Sequence, residues 1–300
     1  MTLRVFYSDN YSVDLPQGHR FPMHKYRLLR ESLLGAKILD ETHLHAPSAA
    51  RVEDLDRAHD AAYVRAFLDG SVSQRIMRRI GFPWSQGLVD RILSTVGGAV
   101  DSADWALQHG IAGNLAGGTH HAMREAGEGF CVFNDLAVVT LRLKSQNPDL
   151  RIVILDLDVH QGNGNAAILD GIPGVFVLSV HGERNYPFEK VGSGLDIGLP
   201  DGTQDAAYLR IVRALLPIVL RFRPDIVLYQ AGVDGLHSDS LGRLHLTHKG
   251  LMQRDECVLS FLNAHEIPVS LALGGGYAKP ITDSIEAHLG TYRVVRSVYV

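Results

Sequence analysis

Residues 151–164 read RIVILDLDVHQGNG, an apolar run that ends in Asp156, Asp158 and His160 at alternate positions and then in a glycine-rich turn. Four more runs of this kind follow the same pattern: IAGNLA (111–116), GVFVLSV (174–180), DIVLYQAGV (225–233) and PVSLALGG (268–275). They alternate with helical patterns in FNDLAVVTLRLKSQ (133–146), NGNAAILDG (163–171), DAAYLRIVRALLPIVLRFR (205–223) and HKGLMQRDECVLSFLNAHE (248–266). Short strands that are apolar on both faces require helices on both sides, so the expected class is α/β with a central parallel sheet. Upstream, LRVFY (3–7) reads as a strand and KYRLLRESLLGAKI (25–38) as an amphipathic helix. Residues 51–110 read as helices interrupted by Gly70 and the GFPWSQG turn (81–87), with a Gly97-Gly98 pair suited to close helix packing. No linker, repeat or low-complexity tract divides the chain, and residues 1–300 are expected to form one domain.

Composition narrows the function. With 46 % hydrophobic and 21 % charged residues the 300-residue chain can build a sizeable core. Its formal charge of -4 lacks the basic excess that phosphate-backbone binding uses, so no nucleic acid partner is expected. The two cysteines, Cys131 and Cys257, form no CxxC pair, which argues against a disulfide framework and fits a reducing, cytoplasmic setting. Asp9 and Pro16 interrupt any signal-like apolar block, and no run approaches the ~20 apolar residues of a membrane span. Histidine stands out at 15 residues, as the side chain most used for metal ligation and proton transfer near neutral pH.

Ligands of open parallel sheets bind beyond the carboxyl ends of the strands. There the sequence places GGTHHA (117–122), DVHQGNG (158–164), HGERNYPF (181–188), DGLHSDSLG (234–242) and GGGYAKP (274–280). With a strand period of two, Asp156, Asp158 and His160 project from one face, and an Asp and a His two residues apart reach one ion together. The alternative is that the two aspartates only cap the next helix. A catalytic zinc takes three protein ligands and keeps a position for water. Asp158 and His160 leave one ligand to find, and Asp234, His237 and Asp239 are the candidates. Asp239 lies furthest past the strand, while Asp234 suits a loop-ordering role through bonds to backbone amides. The residues alone do not choose among the three. Two carboxylates and one imidazole form a hard set that also admits Fe(II), Mn(II) or Co(II). His120-His121 at the same rim reads as a proton-handling pair, with Asp156 available to orient one ring. Tyr277, after three glycines, is placed to donate to an oxyanion, the alternative being a tight turn beside a packed ring.

In their order and spacing, GGTHHAMREAGEGFCVFND, ILDLDVHQGNG, AGVDGLHSDSLGRL and LGGGY, with GHRFPMHKYR near the start, resemble the zinc-dependent histone deacetylase superfamily, especially its bacterial and class IV-like members. The resemblance covers about residues 18–280. It implies a single arginase-deacetylase domain, and zinc held by Asp158, His160 and Asp239. It implies that His120 pairs with Asp156, that His121 is the main general base and acid, and that Tyr277 polarises the acyl carbonyl. It further implies a structural potassium ion at Asp156, Asp158, His160, Ser179 and Val180, and a substrate tunnel walled by Gly129, Phe130 and Tyr186. Arg27 resembles the arginine of an internal channel. Asn163 stands where some members have an Asp beside the second His, so His121 should have a lower imidazolium pKa than with Asp. Tyr186 replaces a Phe found in many relatives and adds a polar tip to the wall.

The expected function is therefore hydrolysis of an acetylated (acylated) lysine side chain, or of a related acetylated amine such as an acetylpolyamine, releasing acetate. Two other readings compete with it. An arginase-like ureohydrolase with two manganese ions would want further bridging carboxylates, and HQGNG offers Asn163 instead. A non-catalytic acyl-lysine or polyamine binding module would not need the full set of ligands, paired imidazoles and Tyr277.

Overall fold

The computed structural model describes residues 2–11 and 13–300. Its strands are β1 (Arg4–Phe6), β2 (Leu44–His45), β3 (Ile111–Asn114), β4 (Ile152–Asp156), β5 (Val175–Gly182), β6 (Leu195–Leu199), β7 (Ile226–Gln230) and β8 (Val269–Ala272). They form one sheet in the order β2-β1-β3-β8-β7-β4-β5-β6, and every pairing is parallel. The helices are α1 (Lys25–Gly35), α2 (Val52–Ala58), α3 (Ala61–Asp69), α4 (Gln74–Ile80), α5 (Gln86–His109), α6 (Asp135–Gln146), α7 (Asn163–Leu169), α8 (Asp205–Phe222), α9 (His248–Ala264) and α10 (Ile281–Tyr299).

The strand period of two explains the two cores. In β4 and β7, Val153, Leu155, Val227 and Tyr229 enter one apolar cluster with α1 and α8 to α10. Ile152, Ile154, Ile226 and Leu228 enter a second cluster with the helices from α2 to α7. The central strands are buried along their whole length, as covering on both faces demands.

The parallel sheet and its flanking helices agree with the sequence reading. Three elements have no counterpart in that reading. β2 has two residues, β6 is a half-exposed edge strand within SGLDIGLP, and neither carries a long apolar run. In α10 the buried residues include Ser284, His288, Gly290 and Thr291. A fourth difference concerns DLDVH. β4 ends at Asp156, so Asp158 and His160 come from a bent loop rather than from a continuing strand. Among the described residues, no helix is long and apolar enough to cross a membrane.

α5 starts with Ser85, whose hydroxyl accepts from the Leu88 amide, and ends at Gly110. Its glycine pair is closely approached, though by a loop and a strand rather than by the helix that the sequence suggested: a Cβ on Gly97 would stand 1.7 Å from the Ser48 carbonyl oxygen, and one on Gly98 would stand 2.9 Å from the Asn114 side chain at the end of β3. Gly97→Ala is therefore expected to lower unfolding free energy by about 1–3 kcal/mol in urea titration, as overpacking does. Gly35→Ala, with nothing within 4 Å, should instead leave stability equal or slightly raised.

Candidate functional site

The chain fills the edges of the sheet before β7 and β8 close its centre, so the carboxyl ends of β8, β7 and β4 come together with the loop after β3. Asp158, His160 and Asp234 meet there. One ligand atom from each lies within 4.8 Å of the others, and all three residues are buried. His160 Nδ1 is 2.9 Å from Asp234 Oδ2 and 3.2 Å from Asp158 Oδ1. Backbone amides hold both carboxylates, Gly275 N–H donating to Asp158 Oδ2 at 2.7 Å and Val159 N–H to Asp234 Oδ1 at 2.9 Å. Glycine is required around them. A Cβ on Gly232 would stand 2.2 Å from Asp158 Oδ2, and one on Gly275 1.8 Å from Asp234 Oδ2. Two buried carboxylates and an imidazole, brought this close, could hold a divalent cation, whose charge offsets the cost of burying the anions.

Proton chemistry agrees with that donor set. Burial opposes a charge on His160, but Asp234 and Asp158 outweigh it and push its pKa up to about 10. Burial and the neighbouring charge of Asp158 push Asp234 upward in turn. A cation entering the cluster competes with that proton.

Asp239 does not join this cluster, which corrects the ligand set implied by the resemblance. Its Oδ1 accepts from the Leu241 and Gly242 amides at 2.8 and 2.9 Å, and its Oδ2 accepts from the Tyr277 amide at 2.6 Å. Asp234 leaves the end of β7 four residues after Gln230, where the sheet still fixes the chain. Asp239 lies five residues later and closes a turn bridged to Ala278. The loop-ordering role that the sequence suggested for Asp234 thus belongs to Asp239, while His237 is exposed.

The imidazole pair stands beside the cluster. Asp135, at the start of α6, accepts from the Gly118 and Thr119 amides at 2.7 and 2.8 Å and so shapes the GGTHH loop. His120 Nδ1 is 2.7 Å from Asp156 Oδ2, and His121 Nδ1 is 2.7 Å from Asn163 Oδ1. The two Nε2 atoms face each other at 3.2 Å. Burial works against a charge on His120, yet the Asp156 carboxylate prevails and the net shift is upward. Burial, reinforced by His120 and His160, holds His121 well below the ordinary imidazole range. The two imidazoles are thus shifted in opposite directions, His120 upward and His121 downward.

Above it runs a narrow cavity of about 60 Å³, lined among others by Phe21, Phe82, Gly129, Phe130 and Tyr277. Phe130 packs 5.2 Å from Phe21 and 5.6 Å from Phe82, measured between ring centroids. Tyr186 meets His121 edge-on at 4.9 Å. Gly129 has φ +56° and lies so close to His121 Cδ2, 2.8 Å from an added Cβ, that both backbone and space call for glycine. Tyr277 lines the same cavity, and burial beside Tyr26, Asp234 and Asp158 holds its phenol well above the usual value, so it stays a donor.

Two expected residues fall further out. Arg27 is exposed and borders a second cavity of about 620 Å³ that Tyr277 also lines. The buried cation behind the tyrosine is Lys25, whose Nζ donates to the Gly276 carbonyl at 3.1 Å and lies 4.9 Å from the Tyr277 ring centroid. Ser179 lies opposite Asp156 in the β4–β5 register, with its hydroxyl 2.9 Å from His181 Nδ1, and Val180 is buried beside it. Sequence reasoning missed Phe21, Phe82 and Lys25. The aromatics precede prolines in FPM and FPW, a pattern that marks a chain turn and gives no sign of a channel wall.

Residues 19–291 match the family model of the histone deacetylase domain. The chain is 43 % identical over 300 residues to an uncharacterised protein of Picosynechococcus sp., with 100 % of each covered. It is 31 % identical over 303 residues to histone deacetylase 2 of Arabidopsis thaliana, covering 94 % of this chain and 77 % of the relative. The crystal structure of a histone deacetylase homologue complexed with SAHA superposes with a TM-score of 0.84 at 25 % identity, covering 100 % of this chain and 85 % of that one.

The geometry separates the two aspartates experimentally. Asp234→Ala should abolish retention of stoichiometric metal on dialysis, measured by elemental analysis, whereas Asp239→Ala should keep it. Metal affinity of the unaltered protein should fall as pH is lowered, because the raised His160 holds its proton more fully in acid.

Proposed function

The chain belongs to the histone deacetylase family, and from that premise we propose that it hydrolyses acetylated or otherwise acylated amines, with lysine side chains foremost, releasing acetate. The observation that carries the reading is the Asp158–His160–Asp234 cluster set against the facing His120–His121 pair at the foot of an aromatic channel. Zinc is the proposed metal, with Asp158, His160 and Asp234 as its ligands; bound there, it supplies a lowered water pKa, toward ~7, and polarisation of the amide carbonyl.

The remaining work falls to the chain. The aromatic walls admit a slender alkyl stem and keep bulk water away from the reacting amide. His121, neutral and with Nε2 facing the site, takes a proton from the attacking water and afterwards gives one to the leaving nitrogen, which otherwise departs poorly. His120, made more basic by Asp156, steadies the negative charge that develops. The Tyr277 phenol donates to the carbonyl oxygen as it becomes an oxyanion, and Asp239 fixes the tyrosine backbone from below. Support for the structural potassium ion is narrower and rests on the pairing of Asp156 with Ser179 across β4 and β5.

The direct test measures acetate released from an acetyl-lysine peptide, from acetylpolyamines and from longer acyl-lysines side by side. Turnover of at least one, abolished by chelator and inhibited by SAHA, is expected; no turnover of any acylated amine would overturn the proposal. Tyr277→Phe should lower kcat by about 10²–10³-fold, the usual effect of removing an oxyanion donor, with metal content unchanged. The pH profile gives an independent check. A general base must be neutral, and His121 lies below the ordinary 6.5, so the acid limb of kcat/KM should fall below pH 6.5. An acid limb above that value would assign the base elsewhere.

A further inference from the structure

Asn163 contacts His121 through an amide, and an amide has nearly the same shape with its oxygen and nitrogen exchanged. The two orientations have opposite chemical consequences. With Oδ1 toward His121 Nδ1, that ring nitrogen must carry the hydrogen, and the neutral imidazole keeps its lone pair on Nε2. With Nδ2 toward it, the lone pair sits on Nδ1 and the hydrogen on Nε2, which then cannot accept a proton. A carboxylate partner would not raise this question, since either of its oxygens accepts.

The amide is oriented from its far side. Asn163 Nδ2 donates to Glu128 Oε1 at 2.8 Å, while Oδ1 lies 2.7 Å from His121 Nδ1. A carboxylate has no hydrogen to give, so Glu128 accepts the NH2 group and rejects the reversed amide. Glu128 is itself held. Its other oxygen pairs with the Arg79 guanidinium, its backbone bridges to Cys131, and the residue is 8 % exposed. The next residue, Gly129, packs against the face of His121. None of the three rings packed on His121, those of His120, His160 and Tyr186, bonds to the Asn163 side chain, and His120 meets His121 through the opposite nitrogen, Nε2 to Nε2 at 3.2 Å.

We propose that Glu128 is a positioning residue that selects the Nδ1–H tautomer of His121 by orienting the Asn163 amide, which keeps the proton-accepting lone pair on Nε2. The proposal rests on the deacylase reading and deepens it: the chain lacks a carboxylate directly on His121, and Glu128 returns one to the relay at one remove. It also places the salt bridge with Arg79, at the surface, in mechanical continuity with the reacting imidazole.

The tautomer can be read without turnover. In the zinc-loaded full-length protein labelled with 15N-histidine, long-range 1H–15N correlation at neutral pH should show His121 with hydrogen on Nδ1, its signals identified by their loss in His121→Gln. Glu128→Ala should shift His121 toward the Nε2–H form and lower kcat at least ~10-fold, with KM changed less than about threefold. Adding Asn163→Asp to Glu128→Ala should restore the Nδ1–H pattern and recover kcat, because a carboxylate accepts in either orientation. Should Glu128→Ala fail to fold, Glu128→Met, of similar length and without an acceptor of that strength, carries the same expectations. An unchanged tautomer in the Glu128 variant, or a lost one that Asn163→Asp does not restore, would overturn the inference. If the unaltered protein turns over no acylated amine, the deacylase reading falls, while the tautomer result still decides the part played by Glu128.

Discussion

The site depends on the cost of burying charge at the ends of apolar strands. Asp156, Asp158 and Asp234 are each at most 1 % exposed, in a region where an unpaired carboxylate would be driven to its neutral form. The structure meets that cost with partners drawn from separate parts of the sheet. Asp156 takes His120, Asp158 takes the Gly275 amide, and Asp234 takes the Val159 amide. Each pairing also ties together segments that belong to different strands or their loops, so the electrostatic solution and the spatial one are the same.

Those ties make the catalytic groups interdependent. Asp239 receives the Tyr277 amide, Ser240 donates to the Tyr277 carbonyl at 2.7 Å, and Lys25 reaches the carbonyl of Gly276. The tyrosine loop is thus held from three directions although its glycines would permit many conformations. Rigid placement matters because an oxyanion donor works only where the developing charge will be. The histidines show a related economy. Adjacent in sequence, they face different partners, a carboxylate for His120 and an amide for His121, and Asp156 raises His120 while burial and the neighbouring histidines lower His121.

Much of this was legible in the order of residues. The alternation of apolar runs with helical patterns specified a parallel sheet, because a strand covered on both faces must be apolar on both. The clustering of His, Asp and Tyr after the runs marked the carboxyl rim, and Asp156, Asp158, His160, His120, His121 and Tyr277 all lie there. The strand period was extended too far, since β4 stops at Asp156. β6 was invisible because a half-exposed edge strand lacks the sharp periodicity on which pattern reading relies.

By itself the sequence determined which chemical groups stand at the rim, because strand and helix periods are local properties that each segment carries alone. It could not decide between Asp234 and Asp239, whose side chains are identical and whose roles differ only by where the loop beyond β7 turns back on the Tyr277 segment. That turn is set by contacts between residues almost forty positions apart, and local pattern contains no information about them. The same holds for Glu128, which acquires a place in the site only when the loop after β3 folds across the start of α7. Spacing along the chain names the candidates; the closure of distant loops over the sheet assigns each carboxylate its partner.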